Sequence, residues 1–205
     1  MKIGLYGGTF DPPHPGHTRL AEAFAATADV DLLVVMPTFI PPHKTASGTA
    51  AAHRLNMTRL AFLPLGEKGI PYTVSDYEIC RGSESYTYLT VRHLLSLYGG
   101  ELSLCVGGDM LLSLERWKNA EELMEKCTVY AMARTDGEKT ALEEHAALLK
   151  DKYGARIHIM PYDAYEMSST ELRQALKSGE TGKYPLDDGV LAYIRRNGLY
   201  RGNTE

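Results

Sequence analysis

Cysteine is scarce in this 205-residue chain, and the little there is forms no pattern. Cys80, Cys105 and Cys127 are odd in number, far apart and free of any C-x-x-C spacing, which excludes a disulfide framework and a zinc knuckle. All three are expected to be small buried apolar groups. Long hydrophobic runs are missing too. The longest, such as Leu32 to Met36, are far too short to span a bilayer, and no charged segment followed by a signal-like apolar stretch opens the chain. The expectation is a cytoplasmic protein with no membrane partner. Positive charge is not in excess either. A formal net charge of −4 argues against broad nucleic-acid binding, which needs a basic face to displace counterions. Any anionic ligand must therefore be held by a local cluster.

What is present is an alternation. Lys2 to Tyr6 and Leu32 to Met36 read as short buried strands, with a helical pattern from His17 to Ala28 between them and another from Ala51 to Leu63 after them. A strand near Tyr72 to Val74 precedes a helix from Tyr86 to Tyr98, which Gly99 and Gly100 end. Strands follow at Leu102 to Val106, Thr128 to Met132 and Arg156 to Met160. Helical stretches separate them, the last running along Leu142, Leu149 and Tyr153. Strands that are apolar on both faces and alternate with helices predict an α/β fold, a Rossmann-like doubly wound parallel sheet with right-handed crossovers. After Pro161 the pattern changes to two helices, Ser169 to Ser178 and Asp188 to Asn197. The expected organisation is one domain over 1–205, a core over 1–161 and a small helical subdomain over 162–205.

Between the first strand and the first helix stands GGTFDPPHPGH, Gly7 to His17, with three glycines, three prolines and two histidines. Ligands of open parallel sheets bind beyond the carboxyl ends of the strands, where this loop must lie. Gly7 and Gly8 can bring bare N–H groups against a ligand, and the following helix points unsatisfied amides at the same space. His14 and His17 add side-chain donors three residues apart. A plain Gly-Pro turn with solvated histidines is the competing reading, and the joint spacing behind a buried strand argues against it.

A second anion site is expected in EMSSTELRQAL. Ser168 can cap a helix, with Glu171 completing a capping box, which leaves Ser169 and Thr170 in the first turn. Arg173 follows Ser169 by four residues on the same face, and helical side chains lean toward the N-terminus. An ordinary capped surface helix is the alternative. Gly107-Gly108-Asp109 directly follows a strand, so Asp109 can accept from ribose hydroxyls while the glycines let the sugar approach, or can merely cap a helix. Trp117, the only tryptophan, suits stacking on a flat ring or burial in a core.

The H-P-G-H stretch resembles the (H/T)-x-G-H signature of the nucleotidyltransferase superfamily. The order of motifs along nearly the whole chain is similar to that of the bacterial nicotinate-nucleotide adenylyltransferase family. These motifs are Pro41 to Lys44 (PPHK), His53 to Leu55 (HRL), Ser85 to Thr87 (SYT), Gly107 to Asp109 (GGD), Trp117 and Ser168 to Arg173 (SSTELR). Two departures stand out: Gly108 where the family commonly has Ala, and Tyr88-Leu89 where it usually continues Val-Asp.

The resemblance implies AMP transfer from ATP to nicotinate mononucleotide, with Mg²⁺ carried by the ATP and no protein metal site. It implies an ATP site of Gly7, Gly8, Thr9, Phe10, His14, His17, Gly107, Asp109, Ser168, Ser169 and Arg173, with His14, His17 and Arg173 catalytic. The mononucleotide would meet Lys44, Ser85, Tyr86, Thr87, Trp117 and Arg134, the amides at Tyr86 and Thr87 facing the nicotinate carboxylate. The alternatives are a related adenylyltransferase acting on nicotinamide mononucleotide or phosphopantetheine, and a nucleotide-binding regulator without chemistry.

Overall fold

A computed structural model describes residues 1–42, 48–133, 135–161, 168–180 and 186–201. Six parallel strands form one sheet in the order β3-β2-β1-β4-β5-β6. They are β1 (Lys2–Gly8), β2 (Leu32–Pro37), β3 (Tyr72–Val74), β4 (Glu101–Gly107), β5 (Cys127–Ala133) and β6 (Arg156–Pro161). The helices are α1 (Pro15–Thr27), α2 (Ala51–Ala61), α3 (Leu63–Glu67), α4 (Tyr77–Arg81), α5 (Thr87–Tyr98), α6 (Gly108–Leu112), α7 (Ala120–Lys126), α8 (Asp136–Tyr153), α9 (Ser169–Ser178) and α10 (Asp188–Arg196). The doubly wound α/β expectation is met. From β1 the sheet grows outward twice, through β2 to β3 and through β4 to β6, so the reversal falls between β1 and β4. There the chain ends leaving the two strands diverge and open a crevice.

The period-2 geometry of a strand sends successive side chains to opposite faces. Ile3, Leu5, Val34, Met36, Leu102, Leu104 and Val129 point to one face, into a core completed by α5, α7 and α8. Tyr6, Leu33, Val35, Cys105 and Met132 point to the other, against α1, α2 and α10. Burial on both faces is why these strands read as continuous apolar runs rather than as alternating ones.

Three local features differ from the sequence reading. The helical pattern after residue 51 breaks at Phe62 into α2 and α3, with Pro64 in the first turn of the second piece. Helix α4 is too short to show a period, and η1 (Leu114–Arg116) is a single 3₁₀ turn. Cys80 corrects the expectation of three buried cysteines: Cys105 and Cys127 are buried, but Cys80 is exposed. On α4 it is Glu78, two residues before, that turns inward, and residues two apart on a helix do not share a face. Burial raises the Cys127 thiol to about 12, so neither its reactivity nor that of Cys105, raised by the same cause, is available near neutral pH.

At the end of β1, a Cβ on Gly8 would stand 2.8 Å from the Phe10 ring. That ring cannot yield, because it is 1% exposed and packs edge-on against Tyr6, Phe62 and His17 at centroid distances of 5.6, 5.6 and 5.1 Å. Gly8→Ala is therefore expected to destabilise the chain by about 1–3 kcal/mol through overpacking, read as a lower urea midpoint with an unchanged slope.

Candidate active site

The loop from Gly7 to His17 lies at the reversal point. Its glycines differ in what they are for. Gly8 is demanded by Phe10, whereas a Cβ on Gly7 would meet nothing nearer than the Met36 carbonyl at 3.9 Å. Packing does not require glycine at Gly7, so its benefit is bare backbone at the exposed end of β1. Thr9 and Phe10 differ similarly. Phe10 adopts φ 49°, which turns its ring into the core, so any contact it makes with a ligand must come from its backbone.

His14 is the N-cap of α1, with Pro15 in the first turn, where proline's missing N–H is no loss. The His14 N–H donates to His17 Nδ1 at 3.1 Å, and the rings lie 3.8 Å apart. An imidazolium has no acceptor nitrogen, so this bond holds His17 neutral with its proton on Nε2. Burial and the neighbouring His14 both push the His17 pKa well below its ordinary value. Burial lowers His14 to about 4, and its Nδ1 has no hydrogen-bond partner among the described residues. Two neutral, closely packed imidazoles thus stand beside a helix N-terminus, and an arriving anion would supply what each lacks.

Helix α9 closes on this loop from the other end of the chain. Ser168 caps it as expected: its Oγ accepts from Glu171 N at 3.2 Å, and Glu171 accepts from Ser168 N at 3.0 Å and Oγ at 2.8 Å. Ser169 Oγ donates to the Pro12 carbonyl at 3.0 Å, and Arg173 donates to the Asp11 carbonyl at 2.6 Å and to Thr170 Oγ1 at 3.1 Å. The two anion sites read separately from sequence are therefore hydrogen-bonded to one another.

Arg54 was the residue that sequence reasoning missed. It sat inside the quoted H-R-L motif without a role. It is 1% exposed, and its guanidinium donates to the carbonyls of Thr9 at 2.7 Å, Phe39 at 2.9 Å and Thr49 at 3.3 Å. One buried cation thus ties the loops after β1 and β2 together. The available signal was an arginine among apolar helix positions, but its three acceptors are backbone atoms and leave no trace in sequence.

On the β4 side, Asp109 is exposed in the first turn of α6, and its Oδ1 lies 2.7 Å from where a Cβ of Gly107 would be. A side chain at residue 107 would displace the carboxylate. Gly108 explains its own departure: a Cβ there would approach Glu138 Oε1 to 2.5 Å, so Glu138 on α8 fills the space of the usual methyl group.

Of the expected mononucleotide residues, Ser85 is buried and its Oγ accepts from Phe39 N at 2.9 Å, so its hydroxyl serves the loop. Tyr86 is the N-cap of α5, and no side chain caps that helix. Its hydroxyl donates to Glu84, and Lys118 Nζ stands 4.3 Å above its ring. That contact brings the segment carrying Trp117 beside α5. Trp117 is half-buried against the core, with a buried Nε1 that has no partner among the described residues. Lys44 and Arg134 lie outside the described residues.

Two helix N-termini, paired histidines and an arginine thus meet at the point where the sheet reverses. The chain belongs to the cytidylyltransferase-like family, whose model matches residues 5–175. Its similarity extends along the whole chain to probable nicotinate-nucleotide adenylyltransferases. That of Oceanobacillus iheyensis is 34% identical over 200 residues, 97% of this chain and 96% of that protein. That of Neisseria meningitidis serogroup B is 36% identical over 203 residues, 97% and 98% of the two chains. In fold, the chain resembles Plasmodium falciparum nicotinic acid mononucleotide adenylyltransferase complexed with NaAD, with a TM-score of 0.76 at 18% identity, covering 100% and 99% of the two chains.

The buried His14 makes stability depend on pH. His14 is neutral in the folded chain down to about pH 4 and in the unfolded chain only down to about 6.5. Above 6.5 it contributes nothing to the difference. As pH falls from 6.5 to 4 the unfolded state gains a proton that the folded state refuses, so stability drops by about 3 kcal/mol from this group. Urea titrations at pH 7 and pH 4.5 are expected to show the loss, and His14→Gln to show less of it.

Proposed function

We propose that this enzyme transfers the adenylyl group of ATP to nicotinate mononucleotide, releasing pyrophosphate and forming nicotinate adenine dinucleotide for NAD biosynthesis. The observation that carries the reading is the docking of Ser169 and Arg173 onto the carbonyls of Pro12 and Asp11. It gathers the donors of two helix N-termini and both histidines around one space, as a triphosphate requires. Residues 1–205 act as a single nucleotidyltransferase unit, its core at 1–161 and the α9–α10 part at 162–205 closing the phosphate side.

In the reaction, the 5′-phosphate oxygen of the mononucleotide forms a bond to the α-phosphorus of ATP, and the bond from that phosphorus to the bridging oxygen of the β-phosphate breaks. The nucleophile is already an anion near pH 7, since the second pKa of a phosphate monoester is about 6. No general base is required. The work left to the protein is to align two anions and to meet the charge moving onto pyrophosphate. His17 donates from Nε2 and His14 from its ring, while Arg173 serves the pyrophosphate side and Asp109 accepts from the ribose. The amides opening α5 at Tyr86 and Thr87 hold the nicotinate carboxylate, Trp117 stacks on the pyridine ring, and Lys44 and Arg134 neutralise the mononucleotide phosphate. Among the described residues no three His, Cys, Asp or Glu side chains gather to hold a metal. Mg²⁺ would arrive on the triphosphate, keeping most of its waters.

Pyrophosphate release from Mg-ATP, with nicotinate mononucleotide, nicotinamide mononucleotide and phosphopantetheine offered separately, tests the assignment. The first is expected to be strongly preferred, and preference for either of the others overturns the acceptor. His17→Ala is expected to lower kcat by about 10²–10³, the usual loss for one transition-state donor. An unchanged kcat would remove the histidines from the chemistry.

A further inference from the structure

Asp11 stands in the docked loop, and one of its side-chain partners comes from the far end of the chain. Tyr200, 189 residues later, donates its hydroxyl to Asp11 Oδ1 at 2.5 Å. The other carboxylate oxygen makes a long ion pair with Arg173 NH1 at 3.9 Å, while that same nitrogen donates to the Asp11 backbone carbonyl at 2.6 Å. Asp11 is buried. A second cation, Arg54, feels its charge, but that guanidinium is engaged with three carbonyls. Tyr200 also receives a hydrogen bond from Thr49, so its hydroxyl is oriented from both sides. Its backbone has φ 57°, a left-handed conformation that a bulky residue rarely adopts. Strain of this kind persists where the surroundings impose it and clusters at functional sites.

A buried carboxylate next to a guanidinium closes on it unless another donor holds it. Arg173 uses two of its five N–H groups on Asp11 O and Thr170 Oγ1, and the others are what a phosphate would take. We propose that Tyr200 is a positioning residue for the pyrophosphate side of the reaction. By holding one oxygen of Asp11, it keeps the long ion pair of the other oxygen with Arg173 from shortening and leaves the remaining N–H groups of the guanidinium to the leaving group. The inference rests on the role given to Arg173 in the proposed reaction, and it assigns the α10 end of the chain a part in ATP use rather than in folding alone.

The test is calorimetric titration of the full chain with Mg-pyrophosphate, beside KM values for ATP and for nicotinate mononucleotide. Tyr200→Phe is expected to weaken pyrophosphate about tenfold and to raise the ATP KM similarly, while the mononucleotide KM stays within twofold. Adding Asp11→Asn to it removes the charge that competes for Arg173. Pyrophosphate affinity should then return to within about threefold of wild type. Equal losses toward both substrates, or no recovery in the double variant, would show a structural role and overturn the proposal. If Y200F is too unstable to titrate, D11N with and without Y200F decides. The hydroxyl acts only through the carboxylate, so the two must bind pyrophosphate equally, and a tenfold difference overturns the proposal. A wild-type chain that binds pyrophosphate but forms no dinucleotide overturns the reaction assigned above and leaves this link to the variants. One that does not bind pyrophosphate overturns both.

Discussion

In a parallel sheet that grows both ways from β1, the connections leave β1 and β4 on opposite faces, and nothing in the sheet fills the space between their carboxyl ends. The loops proposed to meet the nucleotides start at that gap. The Gly-Pro-His loop leaves from β1 and the Gly-Gly-Asp turn from β4. The loop after β2 reaches the gap through Phe39 and Ile40, which bond to Ser85 at 2.9 Å each, and so brings the start of α5 to the same place.

The Gly-Pro-His loop is buried over residues 10–14, and side chains from other elements bond to its backbone. Among the described residues, four side chains from other elements bond to its backbone or its one carboxylate. Arg54 holds the Thr9 carbonyl from α2, Arg173 and Ser169 hold the Asp11 and Pro12 carbonyls from α9, and Tyr200 holds the Asp11 side chain from beyond α10. Each acceptor is buried or half-buried, where an unmade hydrogen bond is expensive. The loop is thus fixed both by these hydrogen bonds and by the burial of residues 10–14, with Phe10 packed in the core.

Much of this was legible locally. The strands are continuous apolar runs because both faces of the sheet are covered. Strand β3 matched its expected bounds at Tyr72 and Val74. The Ser168–Glu171 capping box is a four-residue motif whose partners are sequence neighbours, so it too could be read directly. By contrast, α4 is too short to show a period, and its inward Glu78 and outward Cys80 depend on which neighbours it meets. Glu138 in the space beside Gly108, and Arg54 on three carbonyls, join elements that are distant in sequence.

The sequence by itself determined the element alternation, the place of the anion-binding loops at strand and helix ends, and the chemical character of the donors. Those follow from periodicity, capping and residue type, which act over a few residues. Only the tertiary structure decided that α9 bonds to the backbone of the Gly7 to His17 loop, that Phe10 faces the core while Gly7 faces outward, and that Tyr200 reaches Asp11. These depend on strand order and on hydrogen bonds to backbone atoms across up to 189 residues. A carbonyl looks the same whatever its side chain, so such partners cannot be read from residue identities.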